Sequence, residues 1–189
     1  MIEQVWELAE PYWHTRSGEI HMPESFAMAQ RLLDALPEAD ASVVLPAILL
    51  HDVGYARVPE STHHDGLAGA PDGWDADITR RHEIEGARLA SEILAAVGYD
   101  AAKAARVVEI VDGHDSRAEA LSLEDAIVKD ADKLWRFTES GVRAAHGWIG
   151  RTPGAFMDYV ETRIEDWFFT DAAKALAHEA LEQARSCAY

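Results

Sequence analysis

Two adjacent residues, His51 and Asp52, have the side chains needed to bind a metal ion. The pair ends an apolar run and is followed by Val53 and Gly54. A neutral imidazole and a carboxylate together form an ordinary ligand set for divalent Zn, Mn, Fe, Co or Ni. The dipeptide alone is equally well explained by a buried structural histidine beside a capping aspartate, so the other candidate residues must decide between the two interpretations.

Five more histidines and aspartates lie near the ends of predicted helices: His21, His82, His114, Asp130 and Asp132. Each of them alone is more often a structural or solvated side chain than a ligand. A helical bundle, however, can fold several such helix ends around one point. Their number and placement, taken with the His-Asp pair, favour a metal site over separate structural roles.

The apolar residues recur at three- and four-residue steps almost throughout the chain, which is the spacing of α-helices. They predict helices over 24–36, 41–52, 78–97 and 101–111, a further helix capped by Ser122, and two or three helices between 139 and 185. His21 is expected just ahead of the first helix, and Pro46 predicts a kink or a late start in the second. No segment alternates strictly between apolar and polar residues as a strand would. The sequence therefore predicts an all-α fold.

A segment rich in glycine and proline, residues 54–77, separates the second and third predicted helices. It is too long for a simple connection and is therefore a candidate lid or binding loop. It contains His63-His64-Asp65, a candidate metal cluster whose residues are more often solvated in such a loop, and Trp74, which could stack on a base or ring.

The pattern of these residues resembles the HD-domain superfamily of metal-dependent phosphohydrolases. Members of that family have a histidine, then a His-Asp doublet, often two more histidines, and a late aspartate. The matching stretches in this chain are His21 with Ser25, Ala29 and Leu32; residues 47–54; His82 with Glu83, Gly86, Ala87 and Leu89; residues 110–114; and residues 129–134. The resemblance covers residues 20–140 and implies an HD-domain-like helical bundle. Residues 141–187 are predicted to add helices that complete a single domain over 1–189.

The resemblance implies metal ligands at His21, His51, Asp52 and one late aspartate. Asp130 and Asp132 lie two positions apart, about 200° around a helix, and cannot both face the same ion. The family's usual context for this ligand is Ala-Asp-basic-Leu, which Asp132 has here. Asp132 is therefore the predicted ligand, and Asp130 is an alternative or a residue that supports it.

His82 and His114 have two alternative roles by the same resemblance. In binuclear branches the equivalent histidines hold a second metal, and in mononuclear branches they contact the scissile phosphate or the attacking water. Asp115, which follows His114, decides neither alternative. Together with Asp52, these two histidines are the predicted catalytic residues.

Arg80 and Arg81 directly precede His82 and are candidates for binding a substrate phosphate, because a guanidinium can bind phosphate through two hydrogen bonds. Their alternative role is to balance neighbouring carboxylates. Lys129 and Lys133, which stand on either side of the late aspartates, have the same two interpretations.

The predicted function is hydrolysis of a phosphate ester or anhydride in a nucleotide or another small phosphorylated metabolite, with a divalent Mn, Ni, Co, Zn, Mg or Fe ion. An HD-type di-iron oxygenase acting on a small polar substrate is the first alternative. The segment after His114 reads Asp-Ser-Arg-Ala and differs from the Lys-Arg-Tyr-like substrate segment of those oxygenases. The second alternative is a non-catalytic HD module that binds a nucleotide.

Composition narrows the expected partners. The chain has 34 acidic and 17 basic residues and a pI near 4.8, so repulsion disfavours broad binding to nucleic acid or to an anionic membrane. The single cysteine, Cys187, excludes an internal disulfide and favours a cytoplasmic location. No signal peptide or membrane-spanning run is recognised in the sequence. A homodimer is expected only because dimers are the commonest oligomers.

Overall fold

The structure, a computed structural model, describes residues 1–15, 17–62, 75–187 and 189. All regular elements in these residues are helices and no strand is formed there, which confirms the predicted all-α fold. The α-helices are α1 (Ile2–Ala9), α2 (Gly18–Ala35), α3 (Ala41–Leu50), α4 (Ala76–Ala96), α5 (Ala101–Val111), α6 (Leu123–Leu134), α7 (Glu139–Ala145), α8 (Pro153–Glu161), α9 (Ile164–Trp167) and α10 (Asp171–Arg185). Short 3-10 helices cover Glu10–Tyr12, Val53–Arg57, Glu60–Thr62, Trp135–Phe137 and His146–Ile149. None of the described helices is long and apolar enough to span a membrane.

Polar side chains that accept hydrogen bonds from free backbone N–H groups fix where several helices begin. Asp40 caps α3, Asp75 caps α4, and Asp100 caps α5. Ser122 accepts from the N–H of Asp125 and starts α6, as predicted. Such caps stabilise a helix by about 1 kcal/mol each. They therefore set the register of four helices that lead to the candidate ligands.

α2 begins at Gly18, earlier than the predicted helix over 24–36. His21 therefore lies in the first turn of α2 and not ahead of it, which corrects the prediction. The reason is a close approach: a Cβ at Gly18 would overlap the carbonyl oxygen of Trp13, so glycine lets the helix begin against this residue. Ser17, with a φ of 58°, forms the left-handed turn that precedes the helix.

α3 is apolar on nearly every side and forms the centre of the bundle. It packs against α1, α2, α5 and α6, and most of its residues from Val43 onward are buried. A helix that is apolar all round is stable only inside a protein, so burial holds α3 in place. Because α3 begins at Ala41, Pro46 lies inside it and the predicted alternative of a late start is wrong. His51 and Asp52 follow its last turn.

Residues 54–77, predicted as a loop, include regular structure at both ends. The 3-10 helix over Val53–Arg57 packs directly on α4, which itself begins at Ala76. Gly54 permits this packing, since a Cβ there would overlap the carbonyl oxygen of His82. The close approach brings α4 next to the end of α3. The other candidates in this segment lie outside the described residues: His63, His64, Asp65 and Trp74.

The C-terminal part of the described chain contains α7, α8 and α10, as the predicted two or three helices, together with the single-turn helix α9. The predicted breaks near 147–153 and Thr170 are found. α10 packs against α2, α6 and α7. α10 therefore covers the side of α6 that lies away from the candidate site.

Candidate metal centre

Four of the predicted ligands meet where α2, α3 and α6 come together. We call His21, His51 and Asp132 the first group. The Nε2 atoms of its two histidines are 2.9 Å apart, and Asp132 Oδ1 lies 3.3 Å from His21 Nε2 and 3.4 Å from His51 Nε2. Asp52 Oδ2 is 3.4 Å from His21 Nε2 and 3.7 Å from His51 Nε2. The first group is almost fully buried.

A second group, His82, His114 and Asp115, lies beside the first. His82 is in α4, and the other two are in the turn that follows α5. The Nε2 atoms of the two histidines are 3.4 Å apart, and Asp115 Oδ2 lies 3.5 Å from His82 Nε2 and 3.7 Å from His114 Nε2. Asp52 Oδ1 is 3.4 Å from His114 Nε2 and 3.7 Å from His82 Nε2. Asp52 thus presents one carboxylate oxygen to each group.

Hydrogen bonds at the opposite ring atoms direct two histidines into the cluster. His51 Nδ1 donates to the carbonyl oxygen of Ile48 at 2.7 Å, and His114 Nδ1 donates to that of Val111 at 3.0 Å. A carbonyl oxygen only accepts, so Nδ1 holds the proton of each neutral ring. The lone pair of Nε2 then points at the neighbouring ligand atoms, as in a metal-binding histidine.

Contacts with neighbouring side chains fix the other two imidazoles. His21 Nδ1 is hydrogen-bonded to Ser25 Oγ at 3.1 Å, and its ring packs on Trp135 with the centroids 4.8 Å apart. The ring of His82 is stacked on Tyr55, with the centroids 4.0 Å apart and the planes at 14°. All four rings are therefore positioned by the fold itself.

The donor set fits divalent transition-metal ions. Imidazole nitrogens and carboxylate oxygens bind such ions at about 2.0–2.2 Å, so that adjacent ligand atoms of one ion are about 3–3.5 Å apart. The separations within the cluster, from 2.9 to 3.7 Å, are close to this range. Three carboxylates and the Nε2 lone pairs would repel one another without a cation, and Arg136, 3.6 Å from Asp132, balances one carboxylate. The chemistry of the cluster therefore favours bound cations.

The pKa values of the cluster reflect its concentration of negative charge. Burial alone would raise the pKa of Asp132, but Arg136 and the nearby histidines outweigh burial and hold this pKa well below its usual range. Burial alone would lower the pKa of His114, but Asp115 and Asp52 raise it to about 9. The same negative potential that raises this pKa attracts a metal cation.

Glu83 holds the turn that carries the second group. Its buried carboxylate accepts hydrogen bonds from the N–H groups of Asp115 at 2.9 Å and Ser116 at 2.7 Å, and from the Ser116 hydroxyl at 2.6 Å. Arg80 also donates to it at 2.9 Å. Burial raises the pKa of Glu83, but His114, Ser116 and Arg80 outweigh burial and lower it to about 2. The ionised carboxylate therefore fixes the backbone of this turn.

Lys129 holds the same turn from another side. Its buried ammonium donates to the carbonyl oxygens of Gly113 and His114, each at 2.8 Å, and of Arg117 at 2.9 Å. These three bonds account for all the protons of the ammonium. Burial lowers the pKa of Lys129, and the nearby Asp125 opposes this shift. The hydrogen bonds of Lys129 therefore give it a structural role inside the protein, which differs from both of its expected roles, binding a substrate phosphate or balancing a neighbouring carboxylate.

The structure brings six predicted site residues together: His21, His51, Asp52, His82, His114 and Asp132. Their roles as ligands or catalytic residues stay predictions. The two arginine candidates for phosphate binding are not brought into this cluster by any contact described. Arg80 donates to Glu83 and, at 2.7 Å, to Asp112, which favours its alternative role in charge balance. Arg81 is exposed on α4.

Asp130, the alternative ligand, faces away from the cluster. It lies about 200° around α6 from Asp132. Its carboxylate accepts hydrogen bonds from the N–H of Phe169 at 2.8 Å and from the N–H of Thr170 at 3.0 Å. Asp130 therefore anchors the start of α10, and the expectation that it supports the metal ligand is not met by its contacts.

The places that Asp115 and Lys129 take near the site were not predicted, although the sequence contains a signal for each of them. Asp115 forms a second His-Asp doublet with His114, and this doublet follows α5 as the first one follows α3. Lys129 lies four positions after Asp125 and three before Asp132, which places the three on one face of α6. A polar stripe on a helix with apolar neighbours indicates buried polar contacts. Glu83 has no comparable signal.

A family model described as HD domain matches residues 18–136, more than half of the chain. The matched segment runs from the start of α2 to the residue after Trp135, and it contains both groups and Asp52. No curated protein and no solved structure matches the chain.

Proposed function

Because the chain belongs to the HD-domain family, we propose that it is a metal-dependent phosphohydrolase acting on a phosphate ester or anhydride. The substrate class is a nucleotide or another small phosphorylated metabolite. The family consists mostly of metal-dependent hydrolases. The observation that carries the proposal is the convergence of four imidazole Nε2 atoms on the carboxylates of Asp52 and Asp132.

The first group and Asp52 would hold the catalytic ion. A divalent metal bound there supplies Lewis-acid polarisation of a phosphoryl oxygen and lowers the pKa of a water molecule. Mixed histidine and aspartate sets accept Mn, Ni, Co, Zn, Mg or Fe, and availability often decides among them. The positive charge also reverses the local sign of an acidic protein, which allows an anionic substrate to approach.

With a single bound ion, His82 and His114 would orient the phosphate or transfer a proton. Their Nε2 atoms lie within 3.7 Å of Asp52 Oδ1, so both are within reach of a substrate held beside Asp52. The bond from His114 Nδ1 to Val111 keeps this ring in one orientation. Proton uptake and release would therefore take place at its Nε2 atom.

Metal content and phosphate release test the proposal directly. Protein purified without chelators or a metal-affinity column is analysed by inductively coupled plasma mass spectrometry. It is then screened with nucleotides and phosphorylated metabolites in the presence of each candidate metal. We expect bound divalent metal and phosphate release from at least one substrate class.

Asp52→Ala is expected to abolish metal binding and turnover, because Asp52 presents an oxygen to each group. Loss of an outer-shell partner alone costs about 10–100-fold in metal affinity or activity, so we expect at least about a 100-fold loss here. Asp166→Ala, which removes an exposed carboxylate outside the cluster, is the control. Full activity and full metal content in Asp52→Ala would contradict the assignment.

An HD-type di-iron oxygenase is the second candidate, because the second group could hold a second iron. Two irons per chain and oxygen consumption without phosphate release would favour it. Arg117, the cation in the segment after His114, instead donates to the carbonyl oxygens of Glu109 and Asp112. A nucleotide that binds and stays intact with Mn²⁺ present would favour the third candidate, a non-catalytic binding module.

A further inference from the structure

Asp115 is the member of the cluster to which the family pattern gives no role. We propose that Asp115 is a ligand of a second divalent metal ion, bound together with His82, His114 and the Oδ1 atom of Asp52. This inference rests on the proposed function, because it assumes that the first group and Asp52 bind the first ion. It replaces the proton-transfer role of His82 and His114, because their Nε2 atoms would bind the second ion instead.

The geometry of the four residues supports a shared ion. Each offers a ligand atom, and these atoms all lie within 4.8 Å of one another. Asp115 Oδ2 is at similar distances from the two imidazoles, 3.5 Å from His82 Nε2 and 3.7 Å from His114 Nε2. Its side chain is 31% exposed, whereas the imidazoles are buried. Asp115 thus completes the donor set at the solvent edge of the cluster.

The framework of the turn leaves the Asp115 carboxylate facing the imidazoles. The backbone N–H of Asp115, rather than its side chain, bonds to Glu83. Asp112, on the same turn, pairs instead with Arg80 at 2.7 Å. Of the Asp112 and Asp115 carboxylates, therefore, only that of Asp115 lies beside imidazole nitrogens that could bind the same ion. A side-chain change at Asp115 leaves its backbone bond to Glu83 in place.

Charge also favours a second ion. Three carboxylates face the four imidazoles, and Arg136 balances Asp132. A single divalent ion bound by the first group and Asp52 would leave no metal ion beside Asp115. A second divalent ion would place positive charge there and add to the attraction for a phosphate group.

The test is a Mn²⁺ titration of the chelator-stripped chain by isothermal calorimetry, with manganese content measured after desalting. We expect two Mn²⁺ per wild-type chain and one per Asp115→Asn chain. The affinity of the second site should fall by more than the about 10–100-fold that loss of an outer-shell partner costs. Asp112→Asn, a matched change on the same turn, should keep both ions.

Each outcome separates the two hypotheses. Two ions of unchanged affinity in Asp115→Asn would overturn the inference and leave Asp115 as a counter-charge for the histidines. One ion in the wild type, with phosphate release, would overturn the inference but not the proposed function. A wild-type chain that binds no Mn²⁺ would overturn the proposed function itself. Asp115→Ala repeats the test without an amide that could coordinate, and retention of the first ion shows that each variant is folded.

Discussion

The two groups of the cluster are positioned by different kinds of contact. The first group stands at the ends of helices that pack through apolar side chains, with α3 buried at their centre and His21 packed on Trp135. The turn of the second group is held by two buried charges. Glu83 accepts from its N–H groups, and Lys129 donates to its carbonyl oxygens.

This difference makes the two groups vulnerable to different changes. Apolar packing is spread over many weak contacts and does not depend on the ionisation of any one residue. A buried charge concentrates several hydrogen bonds in one side chain, and its removal leaves all of its partners unsatisfied. Replacing a single charged residue, Glu83 or Lys129, should therefore disrupt the geometry of the second group. The first group should lose its geometry completely only when the hydrophobic core unfolds.

The largest effect of this kind is expected from Lys129→Met. The substitution leaves three carbonyl oxygens of the turn without their donor, and breaking a buried charged interaction costs about 3–5 kcal/mol. The turn should then release His114 and Asp115. We expect loss of the second Mn²⁺ with retention of the first, measured by Mn²⁺ titration beside urea unfolding.

Leu49→Ala is the comparison variant, because it disturbs the apolar packing that positions the first group. Leu49 is fully buried in α3, and such a truncation costs about 2–5 kcal/mol. It should lower the free energy of unfolding by a similar amount without selective loss of the second ion. Retention of both ions in Lys129→Met would show that the turn does not depend on the hydrogen bonds of Lys129.

A smaller effect, confined to acidic solutions, is expected from Glu83. Its folded-state pKa is about 2 against an ordinary 4.5, so its stabilising contribution is complete above pH 4.5 and is lost as the pH falls towards 2. A shift of this size corresponds to about 3 kcal/mol. Urea unfolding of the metal-free chain should therefore show a steeper loss of stability below pH 4.5 in the wild type than in Glu83→Gln.

Glu124→Gln is the matched control for this prediction. The Glu124 carboxylate also has a pKa of about 2, but it binds the N–H of Asp40 and the guanidinium of Arg106 outside the cluster. Both variants should flatten the pH dependence, and only Glu83→Gln should weaken the second Mn²⁺. Equal Mn²⁺ binding by the two variants would mean that Glu83 stabilises the fold without positioning Asp115.

The sequence predicts helices that depend on apolar spacing and caps, but not features that depend on single contacts between distant residues. Helical spacing and caps identified α5 and the start of α6, and the long apolar run identified α3 as a buried helix. The start of α2 was placed too late because it depends on the contact between Gly18 and Trp13. Such an approach between two backbones has no periodic signal in the sequence.

The second group shows the limit more clearly. The family pattern supplied His82 and His114, but the residues that hold their surroundings act through contacts between distant parts of the chain. Lys129 donates to carbonyl oxygens 12 to 16 residues away, and Glu83 accepts from N–H groups 32 and 33 residues away. A lone charged residue in the sequence is usually solvated, so only the folded structure shows that Lys129 and Glu83 are buried and hold the turn.

The smallest expected effect addresses how independent the two groups are. Ser25→Ala removes the hydroxyl that orients His21 and should cost about 1 kcal/mol of stability and about 10-fold in affinity for the first Mn²⁺. Tyr55→Leu removes the ring stacked on His82 and should weaken only the second. Calorimetric titration of both variants measures the two affinities separately. If each variant weakened the binding of both Mn²⁺ ions equally, Asp52, which faces both groups, would couple them into one site. The two kinds of contact would then position the ligands of a single binuclear site.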